Sequence, residues 1–110
     1  YVEVYEGSAY KRDLSYHQGI TWPWLLGLYY DALKNTMIIE KNRIKRQELE
    51  EKITKLVYTT KETFKAEMFE RSSIGTISEI YDSTEPYEER GAFAQAWSVA
   101  EIFRIVLNKR

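Results

Sequence analysis

From about Arg46 to about Arg71 the chain keeps one helical period, with Leu49, Ile53, Leu56, Val57, Phe64 and Met68 on a single apolar stripe. Glu48 with Lys52, Glu51 with Lys55 and Glu67 with Arg71 stand four residues apart on the wet side, where such pairs support a helix. Two further helical faces accompany it. Pro23 supplies the fixed φ of a first helical position and pushes Trp22 out of the helical region. After it Trp24, Leu28, Ala32 and Leu25, Tyr29, Leu33 recur at spacings of three and four. That helix ends at Asn35-Thr36 or at Lys41-Asn42. A last helix runs from about Ala92 to about Leu107. Ala96, Ala100, Phe103 and Leu107 form one stripe, and Val99, Ile102 and Val106 lie next to it. Its wide apolar arc predicts heavy burial.

The remaining stretches lack a sustained period. Residues 1–21 read as irregular, punctuated by Gly7, Ser8 and Gly19. Ser72-Ser73-Ile74-Gly75 breaks the long helix, and Ser72 to Gly91 is a connector containing Pro86 and many charges. A connector this long in a helical domain is functional or disordered. The expected class is all-α, with about three main helices and long irregular loops.

Composition excludes several functions. A chain of 110 residues buries one modest core. No run of about 18 apolar residues offers a transmembrane helix. The absence of cysteine rules out disulfides and thiolate metal sites, and suits a reducing compartment. Sixteen basic against seventeen acidic residues leave a net charge of −1 and no electrostatic footprint for nucleic acid. The chain starts at Tyr1 without an initiator Met or a basic leader, and so reads as a fragment or a processed product.

Nine Tyr and three Trp concentrate near three polar-aromatic segments. The first is Tyr16-His17-Gln18-Gly19 running into Trp22-Pro23-Trp24, the second is Gly75 to Asp82, and the third is Arg90 to Ser98. Each sets a Trp or Tyr beside a carboxylate, amide or imidazole. Flat apolar rings stack on sugar faces and planar hydrogen-bonding groups fix hydroxyls, so the mixture suits a carbohydrate. Glycosidic hydrolysis needs an acid to protonate the leaving oxygen and a carboxylate to activate water or attack the sugar. Alternation from Thr76 to Asp82 would put Ile77, Glu79 and Tyr81 on one side, leaving Glu79 partly desolvated. Residue type alone favours a solvated loop glutamate. His17 is the only histidine, and no second ligand stands at metal spacing. It is a structural group or a donor to sugar hydroxyls. Trp22, Trp24 and Trp97 are either core or stacking surfaces, and Trp22, outside the helix, is the best stacking candidate.

The three segments, in this order, resemble the C-terminal part of the bacterial and archaeal glycogen-debranching enzymes of the amylo-α-1,6-glucosidase type, which are toroids of α-helical hairpins. Tyr16 to Trp24 is similar to that family's substrate-pocket segment, and Gln95-Ala96-Trp97-Ser98-Val99-Ala100-Glu101 to its closing motif. Ser78-Glu79-Ile80-Tyr81-Asp82 is similar to the segment that carries the general base. The matching segments cover about a third of the chain. Departures are Ile20-Thr21, Ser83 where the family has Gly, and Ala92-Phe93-Ala94.

The resemblance implies a partial α/α toroid over residues 1–110, the C-terminal piece of an inverting hydrolase of α-1,6-linked glucose at glycogen branch points. It assigns Glu79 as base and His17, Gln18, Trp22, Trp24, Gln95 and Trp97 to the sugar, with Glu101 a paired structural charge. The acid matches nothing in this chain, so the chain alone is expected to be inactive. Glycogen or a branched α-glucan is the expected partner, in the cytoplasm, with no cofactor, metal, nucleic acid or membrane. An opened toroid exposes inner faces, which predicts self-association. The alternatives are another toroidal glucosidase and a non-catalytic helical interaction module. A scaffold has no use for Glu79 facing the same cleft as His17 and Trp22.

Overall fold

A computed structural model describes residues 1–71 and 74–107. The element order is α1 (Ala9–His17), α2 (Leu25–Ile39), α3 (Arg43–Glu70), β1 (Ile80–Tyr81), β2 (Glu89–Arg90) and α4 (Ala96–Leu107). The class is mostly α, and α2, α3 and α4 pack against one another. The break predicted at Ser72-Ser73 lies outside the described residues. Among the described residues no helix is long and apolar enough to cross a membrane.

The α3 helix starts where Asn42 caps it. Its side-chain oxygen accepts from the Ile44 and Lys45 amides at 3.0 and 3.2 Å, satisfying donors that a helix start leaves unpaired. The predicted stripe of α3 serves two cores. Ile53 is buried with Tyr30, Leu33 and Ile105, and Leu49, Leu56 and Val57 pack around them. Further along, Phe64 and Met68 pack on Ile77, Tyr81 and Ile102.

Three expectations need correction. Residues 1–21 contain α1, capped by Ser8, whose hydroxyl accepts from the Lys11 amide at 3.4 Å. Only Ser15 of α1 is buried, so no apolar period marks the helix in the sequence. The α4 helix begins at Ala96 rather than Ala92 and is covered on one side only. Ser98, Ile102 and Ile105 are buried, while Phe103 and Leu107 are 42% and 65% exposed. Glu101 is the paired charge expected. With Asp31 it holds Arg104, at 2.7 Å from Glu101 and at 2.8 and 2.9 Å from the two Asp31 oxygens, which ties α4 to α2.

The third correction is Glu67, assigned to the wet side yet only 7% exposed. Its Oε1 accepts from the Tyr81 hydroxyl at 2.6 Å. Arg71 Nε lies 3.5 Å from Glu67 and 2.9 Å from Glu89, so two carboxylates share one guanidinium. Burial, then the Glu89 charge, push the Glu67 carboxyl above the ordinary glutamate range, against the Tyr81 hydrogen bond. The native state thus binds this proton more tightly than the unfolded chain. Stability that Glu67 contributes below the ordinary glutamate value is lost as pH rises through the raised native value. Urea midpoints are expected to fall over that window in the wild type, and Glu67→Gln is expected to flatten that segment of the profile.

Candidate active site

Backbone pairing joins the first and second polar-aromatic segments. Thr21 and Tyr81 exchange both amide–carbonyl bonds at 2.9 Å. Ser83 stands where the resemblance calls for Gly, and its hydroxyl donates to the Gly19 carbonyl while accepting from Thr21 Oγ1 at 2.8 Å. Its side chain therefore bonds the two segments together. The antiparallel β1–β2 pair, with Ile80 opposite Arg90, brings the third segment alongside. The Glu79 amide then donates to the Ala92 carbonyl at 2.8 Å and the Gln95 amide to the Ile77 carbonyl at 3.0 Å. All three segments meet at one end of the helix pack.

The Glu79 carboxylate is held at both oxygens. Oε1 accepts from the Tyr16 hydroxyl at 2.5 Å, and Oε2 accepts from the Ala92 amide at 3.0 Å. Ile77 and Tyr81 enter the second core, while Glu79 finds its partners on α1 and in the segment before α4. Gly91 makes the second bond possible. It has φ +71°, and a Cβ there would fall 2.4 Å from Glu79 Oε2.

Tyr16 is the hub of an aromatic cluster. Its ring meets Trp22 edge-on at 4.5 Å and His17 edge-on at 5.0 Å, with Tyr5 at 5.9 Å. The Trp22 indole N–H donates to the Tyr16 carbonyl at 3.1 Å. Trp97 follows, 6.0 Å from Trp22 and stacked on Trp24 at 5.6 Å. Burial, then the Glu79 hydrogen bond and charge, push the Tyr16 phenol up to about 12. Its proton therefore stays on the phenol through the neutral range, where the phenol donates to Glu79.

Of the residues assigned from sequence, Glu79, His17, Trp22, Trp24 and Trp97 are linked in this way. His17 and Gln18 are exposed at the end of α1, and Trp97 is 46% exposed. Gln95 stands apart. Its amide oxygen accepts from the Ala96 amide at 3.1 Å, and it lines a separate hollow with Thr76, Val99 and Ala100. Trp22 also borders a cleft of about 570 Å³ lined with Phe64, Tyr81 and Asp82, which Glu79, His17 and Trp97 do not line.

Residue reasoning passed over Tyr16, Gly91 and the Ala92 amide as partners of Glu79. Tyr16 opens the first segment, and a phenol placed there was the available signal. Asp82 was missed as an organiser. Its Oδ1 accepts from the Tyr5 amide at 2.8 Å, and its Oδ2 from Arg90 Nε and Nη2 at 3.0 and 2.8 Å. Among the described residues no group of three His, Cys, Asp or Glu side chains could hold a metal ion.

A carboxylate fixed on two donors beside partly exposed indoles and an imidazole can take a proton from water and present rings to a sugar. The family profile described as amylo-alpha-1,6-glucosidase matches residues 1–104. No curated protein and no solved structure gives a significant match.

Proposed function

Because this chain belongs to the amylo-alpha-1,6-glucosidase family, we propose that it supplies the general base and part of the sugar pocket of an inverting glycoside hydrolase. The substrate is α-1,6-linked glucose at the branch points of glycogen or a related α-glucan, in the cytoplasm. Glu79 is the base. Each carboxylate oxygen accepts one hydrogen bond from the protein. Each can accept another, so a water in front of Glu79 still has a lone pair to meet. His17 and Gln18, exposed beside Tyr16, bind hydroxyls, and Trp97, backed by Trp24 and edged by Trp22, offers a stacking face. Gln95 contributes through the head of α4 rather than by touching the base.

The observation that carries this reading is the two-point hold on Glu79 next to the Tyr16–His17–Trp22 cluster. The acid comes from outside these residues, from a carboxyl about 6.5–9.5 Å from Glu79, the separation that leaves room for water in an inverting site. This chain is thus the C-terminal part of a toroidal catalytic domain. The test is glucose release from an α-1,6-branched dextrin, followed by NMR, in the protein that joins this chain to its acid. The expected first product is the β-anomer. First appearance of the α-anomer, or release by the 110-residue chain alone, would overturn the proposal.

A further inference from the structure

Tyr16 has no assigned part in the reaction, yet it makes the shortest contact to the proposed base. The carboxylate and the phenol lie 63 residues apart in the sequence and meet at 2.5 Å. A phenol donating to an ionised carboxylate makes a charge-assisted bond that stabilises the anion and fixes its orientation. The phenol is itself held on several sides. Trp22 donates its indole N–H to the Tyr16 carbonyl and sets its ring against the Tyr16 ring, and Tyr5 and His17 flank it. The Trp22 N–H is consequently spent on Tyr16 and is not offered to a sugar. This pattern is what a supporting group for a reactive side chain requires, namely a locked rotamer and a single outward bond.

We propose that Tyr16 is a positioning residue for the general base, orienting Glu79, with Trp22 acting through Tyr16. The proposal rests on the reading of Glu79 as base. Tyr16 moves no proton in the reaction. Its phenol stays neutral while Glu79 takes the proton from water, so the hydrogen bond weakens as Glu79 is neutralised. Losing the donor frees the carboxylate to turn away from the attacking water, and a misplaced base costs rate.

The experiment measures kcat and KM in the hydrolytically active protein containing this chain, for Tyr16→Phe, for 3-fluorotyrosine at position 16, for Trp22→Phe and for Glu79→Gln. Tyr16→Phe is expected to lower kcat roughly tenfold, the effect of a base no longer held in line with its water, with KM little changed. The fluorinated phenol keeps the ring and the hydroxyl, so its kcat should stay near the wild-type value, which separates loss of the donor from disturbance of the ring. Trp22→Phe withdraws the indole N–H that holds Tyr16 and should lower kcat as well, which covers the case in which Tyr16→Phe does not fold. Wild-type kcat in every folded Phe variant, with Glu79→Gln inactive, would overturn the positioning role and leave the base assignment standing. Activity retained by Glu79→Gln would overturn both.

Discussion

Glu79→Gln is expected to lower glucose release from a branched dextrin about a thousandfold, the middle of the range for losing a general base. The loss should fall on kcat, because the sugar contacts are assigned to His17, Gln18 and Trp97 and the amide leaves them in place. Affinity for a glucose-like inhibitor, measured by calorimetry, should therefore change little. The amide also differs from the carboxylate in having one acceptor oxygen. With its oxygen on the Ala92 amide, its NH₂ donates to the Tyr16 hydroxyl oxygen, which accepts as well as donates. Two bonds to a charge become neutral ones, which costs about 1 kcal/mol in a denaturation series. A thousandfold loss of rate with so small a loss of stability would separate chemistry from collapse. Equal losses of rate and inhibitor affinity would point instead to a rearranged pocket.

How far the sequence disclosed this arrangement depended on how local each signal was. The α3 helix was legible because its stripe repeats over many turns, and both cores use the residues that the period picked out. The α1 helix was not, since nine residues with one buried serine leave no stripe to read. Period also tells which face is apolar without telling what covers it, which is why the α4 burial was overestimated. Glu67 was assigned to solvent on the strength of its spacing to Arg71. The group that buries it, Tyr81, arrives from beyond the end of the helix. Glu79 is assigned through a resemblance, because a loop glutamate has no period of its own. Its partner Tyr16 lay in a neighbouring motif, but only the fold places the two within hydrogen-bonding distance.

Asp82→Ala is expected to destabilise the chain by about 3 kcal/mol, the low end for breaking a buried ion pair from one side. Asp82 is 3% exposed, and its two oxygens do different jobs. Oδ1 accepts from the Tyr5 amide, 77 residues away, anchoring the N-terminal segment. Oδ2 takes two bonds from Arg90, closing the β-hairpin next to Glu79. Alanine leaves the Tyr5 N–H unpaired and Arg90 without its counter-ion. The Arg90 side chain is about one-third exposed at 32%, so water recovers part of the loss, hence the low end of the range. Asp82→Asn keeps an acceptor for Tyr5 and should cost about half as much, separating the anchor from the charge pair. The pairing itself is read from the double variant Asp82→Ala/Arg90→Ala, whose cost should be well below the sum of the single ones. Tyr5 packs on Tyr16 and Tyr16 holds Glu79, so release of the N-terminal segment should reach the base. In the active protein Asp82→Ala should therefore lose rate at temperatures where it remains folded. Full rate in a folded Asp82→Ala protein would show that the N-terminal anchor and the base are energetically separate.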